Sequence, residues 1–270
     1  MCMSQENPLD IILNDLQRKV LVISGEAGLG KTHLTKHLTE KALQRGWDVQ
    51  CYDISMAWFH DAPIPNRITA HDWGSPPNRP NTLYDIATLK SVDRRILISR
   101  MIDEEWSRRI NGIRDNKDYL FTVSQYLQIF EEGNTYFSST DLNRKDWCGD
   151  TLTNFVSVRR NLKYSGIVVA TAVSGEIATK FRKRCNYLIG KIMSDEERRY
   201  IKNSTSKAFV EAAQELPPYK FVYYGSKQIL EPFGVEFKEF GAPKDIQPWI
   251  PPINEEKDES FWGRIRKVFR

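Results

Sequence analysis

The sequence predicts an α/β fold, a mostly parallel sheet flanked by helices. Three observations carry that reading. Val20-Leu21-Val22-Ile23-Ser24 is a β-branched apolar run suited to a fully buried strand, and it feeds a glycine-rich loop and then a helical pattern. Gly46 to Ile54 follows as a second strand, and so compact a strand–helix–strand unit implies a parallel, right-handed crossover. Gly166-Ile167-Val168-Val169-Ala170-Thr171-Ala172-Val173 is another buried strand, and beyond it strands keep alternating with helices, without an internal repeat.

The loop after the first strand reads Gly25-Glu26-Ala27-Gly28-Leu29-Gly30-Lys31-Thr32 and fits G-x-x-x-x-G-K-[ST], the Walker A or P-loop pattern. Glycines let the backbone wrap close to phosphate oxygens with successive N–H groups pointing inward, and the start of the following helix adds its positive dipole end. Lys31 can reach the β- and γ-phosphates and Thr32 can ligate Mg²⁺. ATP and Mg²⁺ are therefore the expected cofactors. Gly25, Glu26, Ala27, Gly28, Leu29, Gly30, Lys31, Thr32 and His33 are the expected nucleotide contacts. The helix runs from Thr32 to Arg45 with Leu34, Leu38, Ala42 and Leu43 on one side, and Gly46 stops it.

In chain order, Pro8 to Leu16 reads as a short amphipathic helix without chemistry. The second strand ends in Asp53, at the carboxyl edge where open α/β sheets bind ligands. That aspartate is either part of the metal site or a strand-end turn residue. Residues 60–82 read as a loop, broken by Pro63, Pro65, Pro76, Pro77 and Pro80, inside an insertion of about 56–120. Trp58, Phe59, His71 and Trp73, interleaved with Arg67 and Arg79, either contact nucleic acid or tuck the loop onto the domain. Leu83 to Asn111 is mostly helical. Its Asp103-Glu104-Glu105 run reads as a solvated face, because no apolar strand leads into it.

Tyr126-Leu127-Gln128-Ile129-Phe130-Glu131-Glu132 is the second chemical landmark, an apolar strand that ends in two acids. P-loop ATPases use one acid at a neighbouring strand tip to hold Mg²⁺ and a second to polarise the attacking water. Glu131 suits the first role and Glu132 the second, although paired acids also occur as plain polar strand ends. Residues 133–150 form a polar loop, and Thr151 to Tyr164 is helical. Ser174 to Arg184 is a basic helix and Asn186 to Gly190 a short strand. Two helices, Asp195 to Asn203 and Lys207 to Leu216, lead to a last strand at Phe221 to Tyr224. Residues 1–240 thus form the ATPase domain. Residues 241–270 are a Pro-rich, acidic linker and a basic amphipathic end. That end either docks on a partner or membrane surface or folds back on its own domain.

Hydrophobic content of 40% and charged content of 27% fit a soluble globular protein, and a net charge of +4 permits a nucleic-acid partner without requiring one. Cys2, Cys51, Cys148 and Cys185 have neither zinc nor disulfide-framework spacing, which suits a reducing interior. There is no apolar signal region and no run long enough for a membrane span, so the expectation is a cytoplasmic location, either free or peripheral at a membrane through the tail.

Taken in order, these landmarks resemble the HerA–FtsK superfamily of P-loop ATPases, DNA-pumping motors with conjugation, viral genome-packaging and Zot-like branches and a RecA-like sheet. Gly25 to Thr32 leads to a strand closed by Asp53. Ile129-Phe130-Glu131-Glu132-Gly133-Asn134 resembles the family's Walker B segment, usually Asp-Glu-Ala. Arg159 to Gly166 resembles its basic stretch before a strand, and Val168-Val169-Ala170-Thr171-Ala172 the strand that usually ends Thr-Gln. Ile177 to Ile189 resembles a further segment, and Leu216-Pro217-Pro218-Tyr219-Lys220-Phe221-Val222 the closing turn and strand. The resemblance spans roughly 18–225. It departs at Glu131, where an aspartate is usual, and at Ala172, where a glutamine is usual.

The resemblance implies sequence-independent DNA binding and self-association in a hexameric ring. An arginine finger drawn from Arg159, Arg160, Arg182 or Arg184 would reach a neighbour's ATP; each is equally read as a surface or phosphate-contacting residue. Competing functions are a DnaC-like helicase loader, which Gly25 to Leu34 also resembles, a small-molecule kinase with Asp53 as base, and a non-enzymatic nucleotide-dependent scaffold.

Overall fold

The protein is described by a computed structural model over residues 6–17, 19–74, 76–157, 162–170, 177–192, 194–225 and 229–246. The chain runs α1 (Pro8–Leu16), β1 (Val20–Ser24), α2 (Lys31–Gln44), β2 (Asp48–Asp53), β3 (Asn66–Thr69), β4 (Thr82–Asp85), α3 (Ser91–Asp115), α4 (Tyr119–Thr122) and β5 (Tyr126–Phe130). It continues through α5 (Ser139–Leu142), α6 (Trp147–Ser157), β6 (Tyr164–Val169), α7 (Thr179–Arg182), β7 (Asn186–Ile189), α8 (Asp195–Lys202), α9 (Lys207–Gln214), β8 (Phe221–Tyr224), β9 (Ile229–Phe233) and β10 (Lys244–Asp245).

The strands lie in one sheet in the order β10-β3-β4-β2-β5-β6-β1-β7-β8-β9. Pairing is parallel from β10 through β7, and β8 is antiparallel to both of its neighbours. Strand side chains alternate between faces, which divides the core in two. Val20 and Val22 of β1 join Tyr52, Phe130 and Val168 beneath α3, α6, α8 and α9. Leu21 and Ile23 join Val49, Cys51, Leu127 and Ile129 beneath α1 and α2. Both faces are covered, so the strands read as apolar runs rather than as an alternating pattern. Leu34 and Leu38 are fully buried on the inner face of α2, each contributing roughly 1.5–3 kcal/mol of hydrophobic stabilisation.

One interruption of the core is polar. Gln50, Tyr52 and Gln128 bond to one another across β2 and β5 at 2.8–3.1 Å, and the Tyr164 hydroxyl donates to Gln128 Oε1. Every member of this ladder has a partner, which is the condition under which buried polar groups fix register instead of costing stability.

Several expectations change. The region read as an insertion and loop contributes β3 and β4, which extend the main sheet beyond β2. Trp58 and Arg67 turn inward, so the loop aromatics tuck the segment onto the domain. Trp58 is fully buried, and Arg67 donates to Asp245 at 2.5 and 2.7 Å and to the Phe59 carbonyl at 2.6 Å. The supposed linker begins inside the fold, because Lys244 and Asp245 pair with Asn66 and Arg67. Glu105 is not on a solvated face. It is buried in α3 and bonds Arg108 and Arg109. Tyr164 starts β6 rather than ending a helix, and β9 and β10 follow the strand expected to be last. Of the basic helix expected over 174–184, the described residues form a short α7. The basic end at 261–270 lies outside the described residues.

Candidate functional site

The loop from β1 to α2 takes the conformation that its glycines permit. Gly25, Gly28 and Gly30 have φ of 138°, 77° and 86°, values costly for residues with a Cβ. At Gly25 a Cβ would also stand 3.1 Å from the Gly190 backbone, at the end of β7. Lys31 begins α2, and its Nζ donates to the Gly25 and Glu26 carbonyls at 2.8 Å each, arching the loop over its own helix start. Burial lowers the Lys31 pKa, while the charges of Glu132, Glu131 and Glu197 act to raise it.

β5 delivers the two acids to the same place. Its parallel position, separated from β1 by β6 alone, puts the carboxyl end of β5 beside the loop. Glu131 is buried and accepts the Trp58 indole N–H at 2.6 Å, and it lines the same cavity as Thr32. Burial pushes its pKa up to about 7, with Asp53 adding like-charge repulsion. Glu132 has φ 50°, a left-handed backbone, and its half-buried side chain lines the same cavity as Glu131. Gly133 follows because a Cβ there would stand 2.4 Å from Val168 Cγ1. Ala27, Gly28, Gly30, Lys31, Thr32, His33, Ser55, Ala57, Glu131, Glu132, Val169 and Ala170 line one open cavity of 430 Å³.

Asp53 sits at the end of β2, as expected, and its oxygens hold the chain that follows. Oδ1 accepts from the Ser55 backbone N–H and hydroxyl at 3.0 and 2.9 Å, and Oδ2 from the Trp58 N–H at 2.9 Å. That turn seats Trp58 against Glu131. Asp53 is thus linked to Glu131 through Trp58.

Sequence reasoning missed three contributors. Trp58 is one. Glu197, in a helix read only as charged, is buried and accepts the Ser24 hydroxyl at 3.0 Å, while its N–H bonds the Ser194 cap. The Ser-x-x-Glu spacing announced the cap but not the reach to β1. The third is residues 234–241, which lie along α2. The Glu236 carbonyl meets the imidazoles of His33 and His37 at 3.1 and 3.0 Å, Phe237 stacks on His33, and Asp61 joins Lys36 to the Phe240 N–H. Of the arginines, Arg182 is buried beneath Tyr200 in its own chain and cannot extend to a neighbour, whereas Arg184 is exposed. Arg159, Arg160, Thr171 and Ala172 lie outside the described residues.

Solved structures share this arrangement of strands. The genome packaging NTPase B204 from Sulfolobus turreted icosahedral virus 2, in complex with AMP, superposes with a TM-score of 0.60 at 14% identity, over 82% of this chain and 99% of its own. The fold is that of a P-loop NTPase. The pCW3 conjugation coupling protein TcpA, in monomer form with ATPgS, follows with a TM-score of 0.57 and 11% identity over 81% of this chain and 60% of its own. VirB4 of Thermoanaerobacter pseudethanolicus gives 0.54 and 10% over 81% and 89%. Packaging and conjugation are two of the branches that the sequence resemblance named. No protein-family model and no curated protein sequence matches the chain. No helix among the described residues is long and apolar enough to cross a membrane.

The Glu131 environment makes a pH prediction for the metal-free P-loop NTPase. Its folded pKa of about 7 lies above the ordinary 4.5, so the fold favours the neutral acid. The stability this confers is fully present below about 4.5 and is lost as pH rises through about 7. Glu131→Gln removes the titration. In chelator-containing buffer the variant is expected to match the parent near pH 4 and to exceed it at pH 8, by on the order of 3 kcal/mol at most. Urea titrations at the two pH values measure the difference; an equal difference at both would refute it.

Proposed function

We propose that the chain is an ATP-hydrolysing motor that moves DNA without reading its sequence. The observation that carries the ATPase reading is the meeting of Lys31 and Thr32 from the phosphate loop with Glu131 and Glu132 from the tip of β5 around one cavity. Magnesium fits this donor set. A buried carboxylate raised to about 7 lacks the countercharge that a divalent ion provides, and the Thr32 hydroxyl stands beside it. Thr32 and Glu131 would hold the ion, which neutralises charge on the β- and γ-phosphate oxygens.

Each residue then has a task. The backbone N–H groups of 27–32 and the α2 N-terminus bind phosphate oxygens, and Lys31 leaves the Gly25 and Glu26 carbonyls for the β- and γ-phosphates. Glu132 accepts a hydrogen bond from the attacking water and orients it in line with the leaving oxygen. Asp53 and Trp58 keep Glu131 in place. Arg159 and Arg160 are offered as residues that stabilise transition-state charge in an adjacent subunit, within a hexameric ring.

DNA as the moved substrate is supported by two of the neighbours, a genome packaging NTPase and a conjugation coupling protein. The test is the ATP hydrolysis rate with and without double- and single-stranded DNA, read together with oligomer mass and triplex displacement. A motor is expected to be stimulated and to displace the third strand. A helicase loader hydrolyses ATP without displacing it, and that result would overturn the motor reading.

A further inference from the structure

The turn before β8 carries an aromatic side chain that the ATPase reading leaves unused. Tyr219 is 62% exposed and has φ 60°, a left-handed backbone that is uncommon for a bulky residue. Such strain persists only where the surroundings impose it, and it concentrates at ligand sites. Its ring lies on the phosphate loop, with Cδ1 3.4 Å from where a Cβ on Gly30 would be. Pro217 and Pro218 stiffen the approach to the turn.

A second aromatic surface lies along the same flank. β9 pairs with β8, Phe233 opposite Phe221, so the chain leaving β9 passes Tyr219 and Lys220. A Cβ on Gly234 would stand 2.8 Å from the Tyr219 carbonyl oxygen. Three residues on, Phe237 is 84% exposed and stacks on His33, with ring centroids 5.2 Å apart and planes 11° apart. His33 itself lines the cavity. Among the described residues the exposed large aromatic side chains are Phe121, Tyr219 and Phe237; Tyr219 lies against Gly30 of the phosphate loop and Phe237 against His33 in the first turn of α2.

Sheet order assigns the polarity of a bound nucleotide. Glu131 and Glu132 stand at the end of β5, on the β6 side of β1, so the γ-phosphate points that way. The opposite end of the nucleotide, the base, is directed to the β7–β8 side, where Tyr219 stands. We propose that Tyr219, against Gly30, forms the base subsite and holds the nucleobase by stacking on its aromatic face, with Phe237 on His33 as a second aromatic surface at the start of α2. This rests on the nucleotide site proposed above and names the part of it that phosphate chemistry does not. Stacking tolerates any base because every base has a π-face, so the subsite favours affinity over discrimination.

The test compares Mg²⁺–ATP with Mg²⁺–tripolyphosphate, which has the phosphates but no base, by calorimetry on the full chain. Tyr219→Ala is expected to weaken ATP roughly tenfold while leaving tripolyphosphate binding unchanged, and Phe237→Ala to do the same to a smaller extent. Tyr219→Phe is expected to bind ATP as the parent does. Unchanged ATP binding in Tyr219→Ala, or equal losses for both ligands, would overturn the stacking subsite. Retained ATP binding in Lys31→Ala would instead overturn the phosphate site, so the two failures are separate. Binding of tripolyphosphate also reports that each variant is folded.

Discussion

Glu132→Gln is expected to bind ATP as the parent does and to lose turnover by about 10²- to 10⁴-fold, the range for removal of a positioned general base. The substitution keeps size and hydrogen-bonding capacity but removes the charge that draws a proton from water. Binding is expected to survive because the proposed phosphate contacts come from the loop and from Lys31. The proposed role falls to Glu132 because it is the half-buried member of the pair, with a left-handed backbone at φ 50°. Glu131 stays buried against Thr32 and Trp58, and Glu132 reaches the open cavity. Single-turnover hydrolysis alongside nucleotide-binding titration measures both parts. Retained hydrolysis would remove Glu132 from the mechanism.

Arg109→Met is expected to destabilise the fold by roughly 3–5 kcal/mol, the cost of breaking a buried charged network from one side. The guanidinium is fully buried. It donates to Glu105, to the Leu162 and Lys163 carbonyls at 2.7 and 3.1 Å, and to the Ser124 carbonyl at 2.9 Å. It thereby ties α3 to the chain entering β5 and β6. Methionine fills similar space but removes the donor to the Leu162 and Ser124 carbonyls, while the Lys163 carbonyl keeps the Tyr126 N–H. The thermal midpoint should fall by roughly 10 °C for a chain of this size. Nucleotide affinity of the folded fraction should change little, because Arg109 lies at the opposite end of β5 from Glu131. A loss of affinity without a loss of stability would contradict this placement.

Lys31, Thr32 and the three glycines were legible in sequence because their chemistry is local. A strand, a loop of positive-φ residues and a helix start are consecutive, and spacing alone specifies them. The placement of the two acids at the cavity was legible for a weaker reason, an apolar run with a charged end. Trp58 was visible only as one aromatic among several in a proline-rich stretch. Its hydrogen bond to Glu131 spans 73 positions. The misreading of residues 60–82 has a similar cause. β3 and β4 are four residues each, and prolines around them hide strands that exist because β2 offers an edge to pair with.

By itself, the sequence determined the α/β class, the glycine-rich loop between β1 and α2, and the apolar strands β1, β2, β5 and β6. These follow from periodicity, glycine placement and residue types within short windows. The order of strands across the sheet, and with it which residues meet at the carboxyl edge, was decided by the tertiary structure. Placing β6 between β1 and β5 sets Glu131 against Thr32, and placing β7 and β8 on the other side sets Tyr219 against Gly30. Such pairings depend on burying both faces of one sheet at once, a condition on the whole chain that no local pattern contains.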